Sequence, residues 1–137
     1  MRNAGKRRAM NRIVLDASAV LAVLNQERGA ERLTPELLSG AVISTVNLAE
    51  VQSKLVGRGV NPDDAWEAIL SIVVDVVPFR QEHARLAGDL ITRTRPLGLG
   101  LGDRACLALG LLLKAGVYTA DASWNKLKIA VRIHVIR

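Results

Sequence analysis

The feature that most narrows the fold is an alternation along the chain. Short aliphatic runs at 13–15, 41–44, 73–77, 117–119 and 133–136 are separated by stretches with helical spacing. Runs this short and this continuously apolar fit strands buried on both faces, and such strands belong to parallel sheets whose connections are helices. The intervening stretches support that reading. Leu48, Val51 and Leu55 fall on one helical face, and Gly57 and Gly59 end that helix. Asn61-Pro62-Asp63-Asp64 is a strong helix start, with a capping residue, a first-turn proline and acids that complement the amide dipole. Helices are expected over about 17–24, 29–38, 45–56, 62–72, 81–94 and 102–114, with a loop at 95–101 and a short helical turn around Trp124. The predicted fold is α/β, a mainly parallel central sheet covered by helices on both sides.

A chain of 137 residues, half of them hydrophobic, suffices for one core and is too short for two ordinary ones. The lone Cys106 cannot form an intrachain disulfide or a zinc knuckle, which fits a reducing, cytoplasmic setting. Only 3% of residues are aromatic, which argues against recognition of RNA mainly by base stacking. The net charge of +6 is concentrated at the start, where Arg2, Lys6, Arg7, Arg8 and Arg12 meet no acid. Setting these five aside leaves 14 basic against 13 acidic residues, so the remainder is nearly neutral. Met10 would make a natural start just before the first apolar run. Residues 1–11 are therefore expected to be a flexible basic leader ahead of a single domain at 12–137. Asp16 interrupts the first apolar stretch, so the leader is a poor secretion signal, and no uncharged apolar run approaches the roughly 18 residues of a membrane span.

In a parallel sheet wound by right-handed crossovers, strand ends and helix starts share one edge, and ligands bind there. Four acids are predicted at that edge: Asp16 after the first strand, Glu50 early in the helix after the second, Asp103 at the start of the helix before the fourth, and Asp121 after the fourth. Each also has a plainer reading. Asp16, Asp103 and Asp121 precede or open helices and can cap them, and Glu50 stands four residues before Lys54, the favourable order for a surface pair. Together, however, crowded carboxylates repel, and keeping them ionised calls for a cation. Oxygen donors without nearby cysteine or paired histidine point to Mg²⁺ or Mn²⁺ over zinc.

The segments Ile13-Val14-Leu15-Asp16-Ala17-Ser18-Ala19, Ser44 followed by Glu50, Leu101-Gly102-Asp103-Arg104-Ala105-Cys106-Leu107-Ala108-Leu109, and Val117-Tyr118-Thr119-Ala120-Asp121 resemble the four motif blocks of PIN-domain nucleases. Their order and spacing are most similar to the small single-domain PIN toxins of VapBC toxin–antitoxin pairs, over essentially everything from Arg12 onward. The basic leader has no counterpart in that pattern. The resemblance implies a PIN-like three-layer sandwich and makes Asp16, Glu50, Asp103 and Asp121 the metal-site acids, with Ser18 and Thr119 as polar companions. It further implies Mg²⁺-dependent hydrolysis of RNA phosphodiesters by a homodimer that a cognate antitoxin holds inactive, with no membrane involved.

On that reading Asp16 and Asp103 are the strongest ligands, Asp121 an additional ligand or water-orienting group, and Glu50 a ligand through water or a positioning base. Arg93, Arg95, Arg104, Lys126 and Lys128 flank these acids in sequence and are the candidate RNA contacts. His83, His134, Trp124 and Cys106 are expected to be structural. Two other classes are an Mg²⁺-binding receiver or aspartyl phosphatase, and a non-catalytic PIN-like module. A receiver would want paired acids after the first strand and a lysine near the end of a late strand, whereas Asp16 stands alone and no lysine directly follows 117–119.

Overall fold

Strand β1 (Ile13–Leu15) is an unbroken aliphatic triplet with no side exposed to water, so it must lie inside a sheet that is covered on both faces. The computed structural model, which describes residues 11–137, places it there. The expected leader lies outside the described residues except for Asn11. Five parallel strands, β1, β2 (Ala41–Ser44), β3 (Asp75–Val77), β4 (Gly116–Thr119) and β5 (Ile133–Val135), are arranged in the order β3-β2-β1-β4-β5. Among the described residues seven helices flank them: α1 (Ala17–Leu24), α2 (Pro35–Leu38), α3 (Thr45–Gly57), α4 (Pro62–Ile72), α5 (Gln81–Asp89), α6 (Ile91–Thr94) and α7 (Leu101–Leu113). This is the expected α/β sandwich.

The pleat sorts the β1 residues between two cores. Ile13 and Leu15 pack with Ile43 and with Val20, Val51, Leu55 and Ile69 of α1, α3 and α4. Val14 points the other way, to Val42, Val117, Leu107 and Leu109 of α7, and Trp124. The chain builds outward from β1 through β2 to β3, then returns across the sheet through α5, α6 and α7 to place β4 on the opposite side of β1. Connections therefore leave β1 and its neighbours in opposite directions, opening a crevice at the carboxyl ends of β1 and β4.

The structure differs from the sequence reading in three places. The single helix expected at 29–38 is a 3₁₀ turn, Ala30–Arg32, followed by α2. Thr34 separates them: preceding a proline, it is extended (φ −69°, ψ 161°), and its hydroxyl accepts the Leu37 amide at 3.3 Å. The helix expected at 81–94 stops at Asp89 and resumes at Ile91, where Gly88 and Asp89 weaken helical propensity. The expected loop at 95–101 contains a 3₁₀ turn at Arg95–Leu97, closed by Gly98 with φ +70°. Among the described residues no helix is long and apolar enough to cross a membrane.

Candidate active site

Asp16 sits directly after β1, only 4% exposed, with its amide held by the Tyr118 carbonyl of β4 at 3.1 Å. Its carboxylate is surrounded by donors. Oδ1 accepts the Ser18 hydroxyl at 2.6 Å and the Ala19 amide at 2.9 Å, while Oδ2 accepts the Thr119 hydroxyl at 2.8 Å. The Thr119 and Ser18 hydroxyls in turn accept the amides of Asp121 at 3.0 Å and Ala120 at 2.9 Å. Both companions of the first acid thus join the ends of β1 and β4. Burial nonetheless dominates and pushes the Asp16 carboxyl up to about 6, the donors opposing it and Asp103 adding a little.

Glu50 approaches from α3. The favourable spacing to Lys54 is not used: the ion pairs among the described residues are Arg85–Asp89, Arg137–Glu27 and the long contact of His83 with Glu82. Instead Glu50 Oε1 accepts Asn47 Nδ2 at 2.8 Å, and the same amide donates to the Gly102 carbonyl at 2.9 Å. Asn47 is 1% exposed, so it is a buried strut between α3 and the first turn of α7. Sequence reasoning missed it; the only signal was a polar residue one turn before Glu50, on the face that Leu48 and Val51 bury. Gly102 is the second missed residue, because a Cβ there would overlap the Glu50 carboxylate. Gly102→Ala should therefore push the Glu50 carboxylate, the end of a flexible and half-buried side chain, away from Asn47 while leaving the melting temperature close to that of wild type. Thermal melting checks it, and a large loss of stability would show that Glu50 has no room to move away.

Asp103 stands at the third position of α7, where Oδ2 accepts the Gly100 amide at 3.0 Å and so satisfies a free donor at the helix start. Its carboxyl is raised by burial, by Glu50 and by Asp121, against the Gly100 amide and Lys54, which lower it. Asp121 is exposed and caps the 3₁₀ turn Ala122–Lys126 through Oδ1, which accepts the Ser123 amide at 2.9 Å and hydroxyl at 2.7 Å. Capping and clustering therefore coexist. Asp103 Oδ1, Asp121 Oδ2 and Glu50 Oε2 accept no hydrogen bond from the described residues and remain available to a ligand. The buried Asn47 Oδ1 also has no partner there.

Among the described residues, no group of three or more Asp, Glu, His or Cys side chains is arranged to hold a metal ion. The donor set instead suits a hard divalent ion that keeps much of its water, as Mg²⁺ does when held by one or two carboxylates. Cys106 lies buried on α7, its thiol raised well above the ordinary range by burial and by Asp16, Asp103 and Glu50, so it is a neutral apolar side chain.

The candidate cations fall into two settings. Arg93, Arg95, Lys126 and Lys128 are exposed, and the turn carrying Arg95 packs against the turn carrying Lys126. Arg104 is half-buried and donates from Nη1 to the Ala87 carbonyl at 3.2 Å, tying α7 to α5. Lys54 of α3 and Arg58 at its C-cap, which sequence reasoning did not single out as contacts, line a cleft beside Asp121. Of the other residues, Trp124 is fully buried, His83 is buried against Phe79 with their rings 5.9 Å apart, and His134 stacks on Tyr118 at 4.3 Å.

The PIN domain family model matches residues 13–130, nearly the whole described chain. The chain belongs to the PIN domain family. No curated protein sequence matches it. Several solved structures share the PIN fold. VapBC from Salmonella typhimurium, bound to DNA, aligns with a TM-score of 0.70 at 16% identity over 92% of this chain and 98% of that one. VapBC2 from Rickettsia felis, bound to a fragment of its promoter, aligns with a TM-score of 0.69 at 18% identity over 88% and 96%. FitAcB from Neisseria gonorrhoeae aligns at 0.64 with 19% identity over 90% and 97%. At these identities the likeness is one of fold.

Proposed function

We propose that this PIN domain is an Mg²⁺-dependent endoribonuclease and the toxin of a type II toxin–antitoxin pair, with Asp16, Glu50, Asp103 and Asp121 as its catalytic and metal-site acids. What supports the reading is membership of the PIN family together with the electrostatic influence of the acids on one another near the β1/β4 switch point, Asp103 raising Asp16 and both Glu50 and Asp121 raising Asp103. Bound there, Mg²⁺ (or Mn²⁺) would lower the pKa of water and offset charge developing on the phosphoryl group. Asp16 and Asp103 supply the principal ligand oxygens. Ser18, Thr119 and the Ala19 amide hold Asp16 in one orientation, and the Asn47 strut holds Glu50 toward α7. Asp121, exposed at the rim, is placed to orient the attacking water or to complete the ligand set. The mechanism needs no histidine. A receiver is not favoured, since Asp75 opens the edge strand β3 instead of ending a central one.

Partners follow from the same reading. One similar structure is described as a toxin–antitoxin complex and another as a member of the VapBC family of toxin–antitoxin systems, and three are bound to DNA, which supports a cognate antitoxin for this chain. Val56, Val60, Trp66 and Leu70 are exposed on the α3–α4 hairpin and give such a partner, or a second copy in a homodimer, an apolar surface to cover. The deciding experiment is incubation of the purified chain with a total small-RNA pool, with Mg²⁺ and with chelator, followed by mapping of new ends. Discrete new ends that require the ion are expected; an untouched pool under both conditions would refute the nuclease reading.

A further inference from the structure

Glu50, Lys54 and Arg58 are spaced four residues apart along α3 and its C-cap, so they form one stripe along the helix in steps of about 6 Å. The stripe changes sign: its acid meets the start of α7, while its two cations line a cleft of about 430 Å³. The same cleft is bordered by Ser18 and Asp121, so it opens directly onto the acidic edge. Its other charges largely cancel, because Arg137 is paired with Glu27 across the rim. Nearby, the positive φ and missing Cβ of Gly29 let its backbone lie against the Ile136 carbonyl. Lys54 has no ion-pair partner among the described residues.

From this arrangement we infer that the cleft is the path by which the RNA strand leaves the acids, with Lys54 and Arg58 binding successive backbone phosphates on one side of the scissile bond. The inference rests on the nuclease reading above and adds direction to it. A polyanion is repelled by the acids and needs cations next to them; α3 supplies both on one rigid rod, so the strand is anchored at a fixed distance from the point of cleavage. The contacts are to phosphates, so they position the substrate without selecting its sequence. The second group of cations, Arg93, Arg95 and Lys126 on other elements and Lys128 just after the Ala122–Lys126 turn, would serve the strand on the far side of the scissile bond.

The test separates binding from cutting. In an Asp103→Asn background, a fluorescein-labelled decaribonucleotide is titrated by anisotropy across a range of NaCl. Adding Lys54→Ala and Arg58→Ala together should weaken binding about tenfold or more. It should also reduce the slope of log K against log[salt] by about 1.4, at ~0.7 per single-strand phosphate contact. Arg85→Ala, the loss of one charge on the exposed face of α5, should leave the slope unchanged. In the cleaving protein the paired α3 substitutions should raise KM with little change in kcat. An unchanged salt slope, a loss equal to that of Arg85→Ala, or no salt-sensitive binding by any of these proteins would overturn the inference. Cleavage by wild type with an unchanged slope would remove only the cleft, whereas a lost slope without cleavage by wild type would keep the cleft and remove the nuclease.

Discussion

Asp16→Asn and Asp103→Asn should each lower Mg²⁺-dependent RNA cleavage by more than about 100-fold while leaving the fold intact. Removing an outer partner of a metal site already costs roughly 10–100-fold, and these two substitutions strike the residues proposed as principal ligands. Both are conservative where structure is concerned. The amide oxygen introduced at position 103 can still accept the Gly100 amide and cap α7, and the one introduced at position 16 can still accept the Ala19 amide at the start of α1. What each variant loses is a negative charge aimed at the crevice. Cleavage rates of purified variants with native circular dichroism check this, and undiminished cleavage by either would remove that residue from the site.

The second large effect is on stability. In the folded chain the Asp16 carboxyl lies at about 6, against 3.8 ordinarily, because burial disfavours its charged form. Between about pH 4 and pH 6 the native state keeps a proton that the unfolded chain has released, so stability falls as pH rises through that window. The loss is complete above about pH 6. Raising the carboxyl this far corresponds to about 3 kcal/mol at most, at ~1.36 kcal/mol for each tenfold change in acidity. Asp16→Asn carries no such penalty. In chelator at about pH 7.5 it should melt above wild type by on the order of 10 °C, and the two curves should converge toward about pH 4. A gap that stays constant with pH would mean that the carboxylate is well enough solvated to ionise freely. Wild type is expected to tolerate this cost because function needs the charge.

The strand and helix pattern was legible because it depends on local rules. Continuous aliphatic runs gave β1 and β2 their limits, and Asn61-Pro62-Asp63-Asp64 placed the start of α4, where the Asn61 side chain accepts two amides. The break at Thr34-Pro35 was equally local: a capping residue, a proline and Glu36 form a helix start that lay hidden inside a longer stretch of helical spacing. The acids were legible as positions, each at the end of a strand or the beginning of a helix. Their supports were not. The Asn47 contact with Gly102 spans 55 residues, and the Thr119 contact with Asp16 spans 103. Such contacts exist only once β4 has been inserted beside β1 and α7 laid beside α3, so nothing near Asn47 in sequence announces its role. The same holds for Lys54, whose spacing from Glu50 favoured a surface pair that the folded chain does not form.

The central claim is that these acids share one cation, and a melting titration tests it most directly. Wild type, Asp103→Asn and Asp103→Ala are unfolded by heat at increasing Mg²⁺, starting from chelator. Without the ion, Asp103→Asn should melt at or above wild type, since it relieves repulsion with Glu50 and Asp121, while Asp103→Ala also loses the hydrogen bond from the Gly100 amide, worth about 1 kcal/mol. As Mg²⁺ rises, wild type should gain about 2.7 kcal/mol by the point where free ion is ~100 times Kd, and overtake both variants. Neither variant should respond comparably. The same Mg²⁺ dependence in all three proteins would contradict a shared site, whatever the RNA assay reports.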